Sequence, residues 1–416
     1  MSIAKITNPL NPPQNEQEGL TRVQTAYALI KGLIRKTEFA HSKICSARTG
    51  KRIFLKFENR QITGSFKVRG ALNKLHQLSD REKKKGVVAA SAGNHSQGVA
   101  FSAQRLGVQA NIVMPVTAPM IKVTATRGYG ANVILHGDFY DDAYIHGRQL
   151  CESQGLTFIH PFQDDAVIAG QGTIAIELFE SVADLDTLVV PLGGGGLISG
   201  IAMVAKALNP KCRVVGVQAE RISTMAAMFK NESVADQKVG STIADGVAVK
   251  SPSPEMLEGY IRRYVDDIVT VSDEEIAAVM VFLLERKKTV VEGAGAVALA
   301  ATFSNRVALG ASVAVILSGG NVDMNTISRV IQKGLTETGR LARISVIVDD
   351  LPGTLNKVTA IMGTQRANIL QVDHSRATKD LALRETRIDF LIETRDEEHI
   401  ADIKSALVSM GVRVIS

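Results

Sequence analysis

A chain of 416 residues has room for two to four domains and an ample core, and 45% hydrophobic with 22% charged side chains are globular values. The net charge of +6 is spread along the chain, Trp is absent and aromatics are sparse, which argues against nucleic-acid binding. No apolar run reaches membrane-spanning length, because residues 276–291 are interrupted by Glu285, Arg286, Lys287 and Lys288.

Residues 1–14 carry Lys5 but no apolar run of a signal peptide, and Cys45, Cys151 and Cys212 have no metal-ligand spacing. A soluble, cytoplasmic protein in a reducing compartment is expected. From residue 52 to 332, strand and helix patterns alternate. Strands are expected at 52–57, 87–90, 110–114, 132–135, 157–160, 187–191, 213–218 and 312–317, with helices between them, such as 141–154 and 168–181. Most of these strands are continuous apolar runs, as in sheets covered on both faces, so the class is α/β. The charged run Arg81-Glu82-Lys83-Lys84-Lys85-Gly86 reads as a solvated turn closing a helix.

Four motifs interrupt this pattern. In Ser65-Phe66-Lys67-Val68-Arg69-Gly70, Lys67 falls in the first turn of a helix that starts soon after a strand stops. Desolvation and the positive end of the helix dipole both lower an amine's pKa there, as a Schiff-base lysine requires. Ser91-Ala92-Gly93-Asn94-His95 opens a helix, with small residues that let the backbone approach a ligand. Leu192-Gly193-Gly194-Gly195-Gly196-Leu197 puts four side-chain-free amides at a helix start. That suits one compact phosphate; it lacks both the dinucleotide spacing and a Walker lysine. Ser318-Gly319-Gly320-Asn321 ends a buried strand in a hydroxyl. Each alone is also ordinary turn or surface chemistry.

Together and in this order the four resemble the pyridoxal-phosphate enzymes of the tryptophan-synthase-β type, and within them the threonine/serine dehydratases. The resemblance spans nearly all of residues 20–335. It implies two open twisted sheets, with a small domain (56–159) inserted into a large one (1–55 and 160–333) and the cofactor between them. It implies that Lys67 holds pyridoxal 5'-phosphate and acts as the α-proton base. Asn94 would bond the cofactor's phenolic oxygen, Gly193, Gly194, Gly195, Gly196 and Leu197 its phosphate, and Ser318 its pyridine nitrogen, with Phe66 and Glu292 nearby. Ser65, Ser91, Ala92, Asn94 and His95 would lie on the loops holding the substrate carboxylate.

A serine at the pyridine nitrogen makes the ring a weaker electron sink, which suits prompt β-elimination from L-threonine or L-serine. Serine racemases resemble the chain too, but they carry a second proton on a serine where this chain has Ala92. The glutamate-aspartate metal pair of some relatives is broken, since Glu220 is followed six residues later by Ala226; no metal is expected. β-Replacement and a catalytically silent amino-acid sensor are the other readings.

After a polar connector (334–342), the order strand 344–348, helix 354–364, strands 368–374 and 386–393, helix 397–409 and strand 413–415 is βαββαβ. Residues 343–416 resemble an ACT regulatory domain, with Asp350-Leu351-Pro352-Gly353 and Asn368-Ile369 as its marks. The resemblance implies an amino-acid effector, isoleucine or valine, around Asp350, Gly353, Asn368 and Ile369 between two copies, and hence a homodimer or homotetramer. A plain dimerisation module is the alternative.

Overall fold

The computed structural model describes residues 9–234, 240–376 and 381–415; Lys5 and the rest of the first eight lie outside the described residues. The chain divides into two compact units, Met1–Val322 and Asp323–Ser416. Among the described residues no helix is long and apolar enough to cross a membrane.

In chain order the strands of the first unit are β1 (Phe39–His41), β2 (Arg52–Phe57), β3 (Val87–Ala90), β4 (Ala110–Met114), β5 (Asn132–Leu135), β6 (Thr157–Phe158), β7 (Thr187–Pro191), β8 (Arg213–Ala219), β9 (Asp267–Val271) and β10 (Ser312–Leu317). They form a six-stranded sheet in the order β1-β2-β10-β7-β8-β9 and a four-stranded sheet in the order β5-β4-β3-β6. All neighbours run parallel except β1, which is antiparallel to β2. Every residue of β3, β4, β7 and β10 is buried. Such strands need cover on both faces, which explains their unbroken apolar sequence.

The chain leaves the large sheet at the end of β2 and returns to it at β7. On the way back, Asp164 caps the helix Asp165–Ser181 by accepting from the amides of Ala166 and Val167. That helix crosses Lys67–His76 at Gly70 and Gly170, where a Cβ on either glycine would strike the other helix's backbone at 2.6–2.7 Å.

Three local expectations change. The strand expected at 157–160 stops at Phe158, just ahead of Pro161, which has no amide to continue the ladder. Strands β1 and β9 were not expected; β1 is three residues long and β9 is a partly buried edge, so neither shows an apolar run. The run at 81–86 is not a turn but the helix Asp80–Lys85, with Ser79 and Glu82 making a reciprocal capping box and three lysines in the last turn.

In the second unit, the helix Met324–Glu337 precedes β11 (Leu341–Asp349). Helix Thr354–Thr364, β12 (Asn368–Ser375), β13 (Glu385–Glu393), helix Glu397–Ser409 and β14 (Arg413–Val414) follow. The sheet is antiparallel, in the order β12-β13-β11-β14. Alternate residues of β13, Ile388, Phe390 and Ile392, meet Val358, Met362, Ile403 and Leu407 of the two helices in one core. The connector expected at 334–342 is mostly regular structure, because the helix persists to Glu337 and β11 begins at Leu341. That helix packs on β11 and belongs with it to the second unit, which begins at Asp323.

Candidate functional site

Lys67 is the first residue of its helix, behind Phe66, and that helix start has no side-chain cap. The amine donates to Pro161 O at 2.9 Å and lies 5.2 Å from the centre of the Phe66 ring. The side chain keeps some solvent contact, yet protein surrounds its tip, and burial brings the amine down to about 8 against a smaller upward pull from Glu292. The backbone is fixed on both sides: Phe66 N donates to Ser318 O, and Gly320 N donates to Gly64 O. Gly64 has φ +72°, and a Cβ there would lie 2.2 Å from Asn321 Oδ1, so glycine is required.

Facing Lys67 is a short polar chain. Asn321 Nδ2 donates to Thr63 O and to Asn94 Oδ1, both at 2.8 Å, and Asn94 Nδ2 donates to Glu292 Oε1 at 2.6 Å. Glu292 stands at the N-cap of Gly293–Phe303 but does not cap it; its carboxylate turns to Asn94 instead. Burial pushes that carboxyl up to about 7, with Asp245 adding to the rise and Asn94, Lys122 and Lys67 opposing it. A Cβ on Gly319 would fall 2.1 Å from Glu292 Oε1, which explains a glycine directly after Ser318. Ser318 is buried, with its hydroxyl donating to Ala294 O at 3.2 Å.

On the loop before Asn94–Leu106, Ser91 Oγ accepts from Gly93 N at 3.1 Å, and Ala92 packs on the core of the four-stranded sheet. His95 is buried with Nε2 2.8 Å from Ile159 O, so Nε2 must carry the proton and Nδ1 is a bare acceptor with no partner. Burial first, then Lys67, drives His95 down to about 3, so the imidazole stays neutral. Ser65 Oγ is likewise fully buried without a partner.

The glycine loop precedes the helix Gly196–Leu208, whose start has no side-chain cap; Gly195 sits at φ +97° and Leu197 is buried in the core. A Cβ on Gly194 would meet the Phe162 ring at 2.3 Å, and one on Gly193 would meet Val247 Cα at 3.0 Å. Thus the segment His160-Pro161-Phe162 touches Lys67 through Pro161 and the glycine loop through Phe162. The 245–247 turn also approaches the loop, through Val247, and its Asp245 pairs with Lys122 of Met120–Gly128 at 3.3 Å.

The site therefore assembles Lys67, Asn94, Glu292, Ser318, Ser65, His95 and the glycine loop. Sequence reasoning missed Asn321, Pro161, Phe162, Asp245 and Lys122. Asn321 ended a motif already singled out, whereas Pro161 acts through its carbonyl, which no sequence pattern reveals. These residues fit pyridoxal phosphate: bare helix-start amides for a phosphate, an amine of lowered pKa for a carbonyl, and two buried polar atoms awaiting a partner.

The C-terminal residues behave differently. Asp350 Oδ2 pairs with Arg376 at 2.8 Å, Gly353 (φ +88°) has open space where a Cβ would go, Asn368 donates to Glu393 Oε2 at 2.8 Å, and Ile369 packs on its unit's core. Asp349 pairs with Glu385 and Asn368 with Glu393, the two ends of β13, so within one chain these residues lie roughly 27 Å apart at the usual strand rise. One copy does not bring them together.

The family described as pyridoxal-phosphate dependent enzyme matches this chain over residues 30–319. An L-threonine ammonia-lyase of Thermotoga maritima is 45% identical over 395 residues, covering 95% of this chain and 98% of the relative. A catabolic L-threonine dehydratase of Staphylococcus aureus is 45% identical over 318 residues, 75% of this chain and 92% of the relative. Among solved structures, threonine deaminase isoform 2 of Solanum lycopersicum has a TM-score of 0.71 at 33% identity, covering 78% of this chain and 90% of that one. Maize serine racemase has a TM-score of 0.70 at 34% identity, covering 76% and 98%. Lys67 with its lowered pKa, the Asn94–Glu292 bond, the glycine loop and Ser318 stand within the matched span: the chain belongs to the pyridoxal-phosphate-dependent enzymes.

Proposed function

We propose that this chain is an L-threonine ammonia-lyase that also accepts L-serine, releasing 2-oxobutanoate or pyruvate and ammonia. The observation that carries the reading is Lys67, whose amine is brought down to about 8 at a helix start and bonded to Pro161 O. Bound there, pyridoxal phosphate supplies a carbonyl for the substrate amine and a ring that takes up electrons from the α carbon. The chain's own residues do the rest. Lys67, neutral in a large fraction near pH 8, accepts the α proton at Nζ, and Pro161 O orients it. Asn94, fixed by Asn321 and Glu292, and the glycine amides set the plane in which the substrate lies. Ser65 Oγ and His95 Nδ1 are unpartnered polar atoms for the substrate's carboxylate and hydroxyl. Loss of the β-hydroxyl as water leaves an enamine, which tautomerises and takes water back as ammonia departs.

Residues 1–55 and 160–333 act as the large domain and 56–159 as the small one in this reading, and the Lys122–Asp245 pair bridges their sequences. Residues 343–416 act as an ACT domain. The βαββαβ order and antiparallel sheet support that assignment. Because Gly353 and Asn368 sit at opposite ends of the sheet, an isoleucine or valine site would join Asp350 and Gly353 of one copy to Asn368 and Ile369 of another, in a dimer or tetramer.

The deciding assay is oxoacid release from L-threonine by cofactor-loaded protein. Steady 2-oxobutanoate is expected; a colourless protein, or one that binds cofactor and releases no oxoacid from either substrate, overturns the reading. Removing residues 343–416 should abolish the response to isoleucine or valine and spare the basal rate.

A further inference from the structure

Two residues beyond Lys67 the same helix carries Arg69, fully buried. All five of its N–H donors are used. Nε and Nη2 donate to Glu58 at 2.8 Å each, Nη1 and Nη2 to Glu177 at 2.7 and 3.1 Å, and Nη1 also to Thr173 Oγ1 at 3.1 Å. Lys56 Nζ donates to Glu177 and to Thr37 O, and the Thr37 hydroxyl donates to Glu58. Two cations and two anions balance, each no more than 1% exposed. Only a planar guanidinium can divide itself between two carboxylates in this way.

The clamp joins three pieces of chain. Lys56 and Glu58 lie where the chain leaves the large sheet, and Arg69 lies on the helix that begins with Lys67. Glu177 lies on Asp165–Ser181, which starts just after Pro161, the acceptor of the Lys67 amine. Gly70 N donates to Gln171 Oε1 at 3.2 Å, and the two helices touch backbone to backbone. With no side-chain cap on the helix start, these ties hold its first turn.

We propose that Arg69, through Glu58, Glu177 and Lys56, is a positioning residue for Lys67. It fixes the lysine's backbone against the Pro161 carbonyl and so sets the direction in which a flexible four-carbon side chain delivers its amine. Arg69 touches neither substrate nor cofactor in this role. The proposal rests on the reading of Lys67 as the cofactor-linked base.

The test uses cofactor-loaded protein carrying Arg69→Lys, and a paired variant, Lys56→Met with Glu177→Gln, which removes one cation and one anion and leaves the Arg69–Glu58 fork. Four readouts are taken: thermal midpoint, kcat and KM for L-threonine, the pH midpoint of the bound cofactor's visible absorbance, and peptide mapping after borohydride reduction. Arg69→Lys should keep the reduced label on Lys67 and KM within about twofold, yet lose kcat on the order of 10²-fold and shift the pH midpoint. The paired variant should fall between. Folded variants with wild-type kcat and pH midpoint, even at a lower thermal midpoint, overturn the positioning role. If Arg69→Lys does not fold, the paired variant decides on the same criteria. A wild-type label anywhere but Lys67 sinks the functional reading and this proposal with it.

Discussion

Lys67 and Arg69 share one helical turn but sit in opposite kinds of polar cluster. Around Arg69 every buried charge has partners and the charges cancel. Around Lys67 the polar groups are not all matched: Ser65 Oγ and His95 Nδ1 have no partner, and the Lys67 amine is bonded to a backbone carbonyl rather than to a carboxylate. A closed cluster fixes geometry, whereas an open one has capacity left for a ligand. Mutation on the closed side should therefore cost stability, with rate lost only through the placement of Lys67, whereas mutation on the open side should change binding or rate with little cost in stability.

The largest effect belongs to the open side. Lys67→Ala should lower turnover of L-threonine by at least about 10³-fold and remove the visible absorbance of bound cofactor, with a thermal midpoint close to wild type before cofactor is added. Colour retained in that variant would move the linkage to another lysine.

Next comes the stability contrast itself. Arg69→Met leaves two buried glutamates facing Lys56 alone and should cost about 3–5 kcal/mol in denaturant unfolding. Ser65→Ala deletes a buried hydroxyl that has no bond to lose, so stability should stay within about 1 kcal/mol while KM rises. Equal stability losses at the two positions would erase the distinction between the clusters.

Glu292 sharpens the comparison through pH. Its carboxyl holds its proton to about 7 in the folded protein, against 4.5 for an ordinary glutamate. Between those values the folded state binds more protons than the unfolded state, so this group's contribution to stability declines as pH rises from 4.5 to 7 and is flat above. Glu292→Gln abolishes that slope. Relative to wild type, the cofactor-free variant should gain up to about 3 kcal/mol at pH 8 and almost nothing at pH 4, by urea unfolding. A pH-independent difference would mean that Glu292 titrates in the folded protein as it does in the unfolded chain.

The closed cluster was the harder of the two to read in sequence. Lys67, Asn94, the glycine loop and Ser318 stand in short motifs because each sits at a strand-to-helix turn, where local sequence dictates backbone. Arg69 was visible in the same motif as Lys67, but its partners Glu58 and Glu177 come from distant elements and carry no local signature. The parallel strands were legible for the same reason as the motifs: burial on both faces writes an unbroken apolar run. Short β1 and edge strand β9 write none. The C-terminal unit was legible through alternation, yet the separation of Asp350 from Asn368 emerged only from the register of β13.

The smallest expected effect tests the reaction type, at Ala92. A lysine on one side of a planar intermediate removes the α proton; racemisation needs a second carrier to return a proton from the other side. A methyl group has no proton to give, and Ala92 rests against the core of the four-stranded sheet. Ala92→Ser supplies a hydroxyl on the loop that already holds Ser91 and Asn94. If the loop geometry suits proton return, D-serine formation from L-serine should rise on the order of 10²-fold above the wild-type background, with oxoacid release still the major flux. Chiral chromatography of the residual serine measures it directly. An unchanged background would show that the side chain at 92 is held against the core, away from the substrate, and that elimination is favoured by something other than a missing proton carrier.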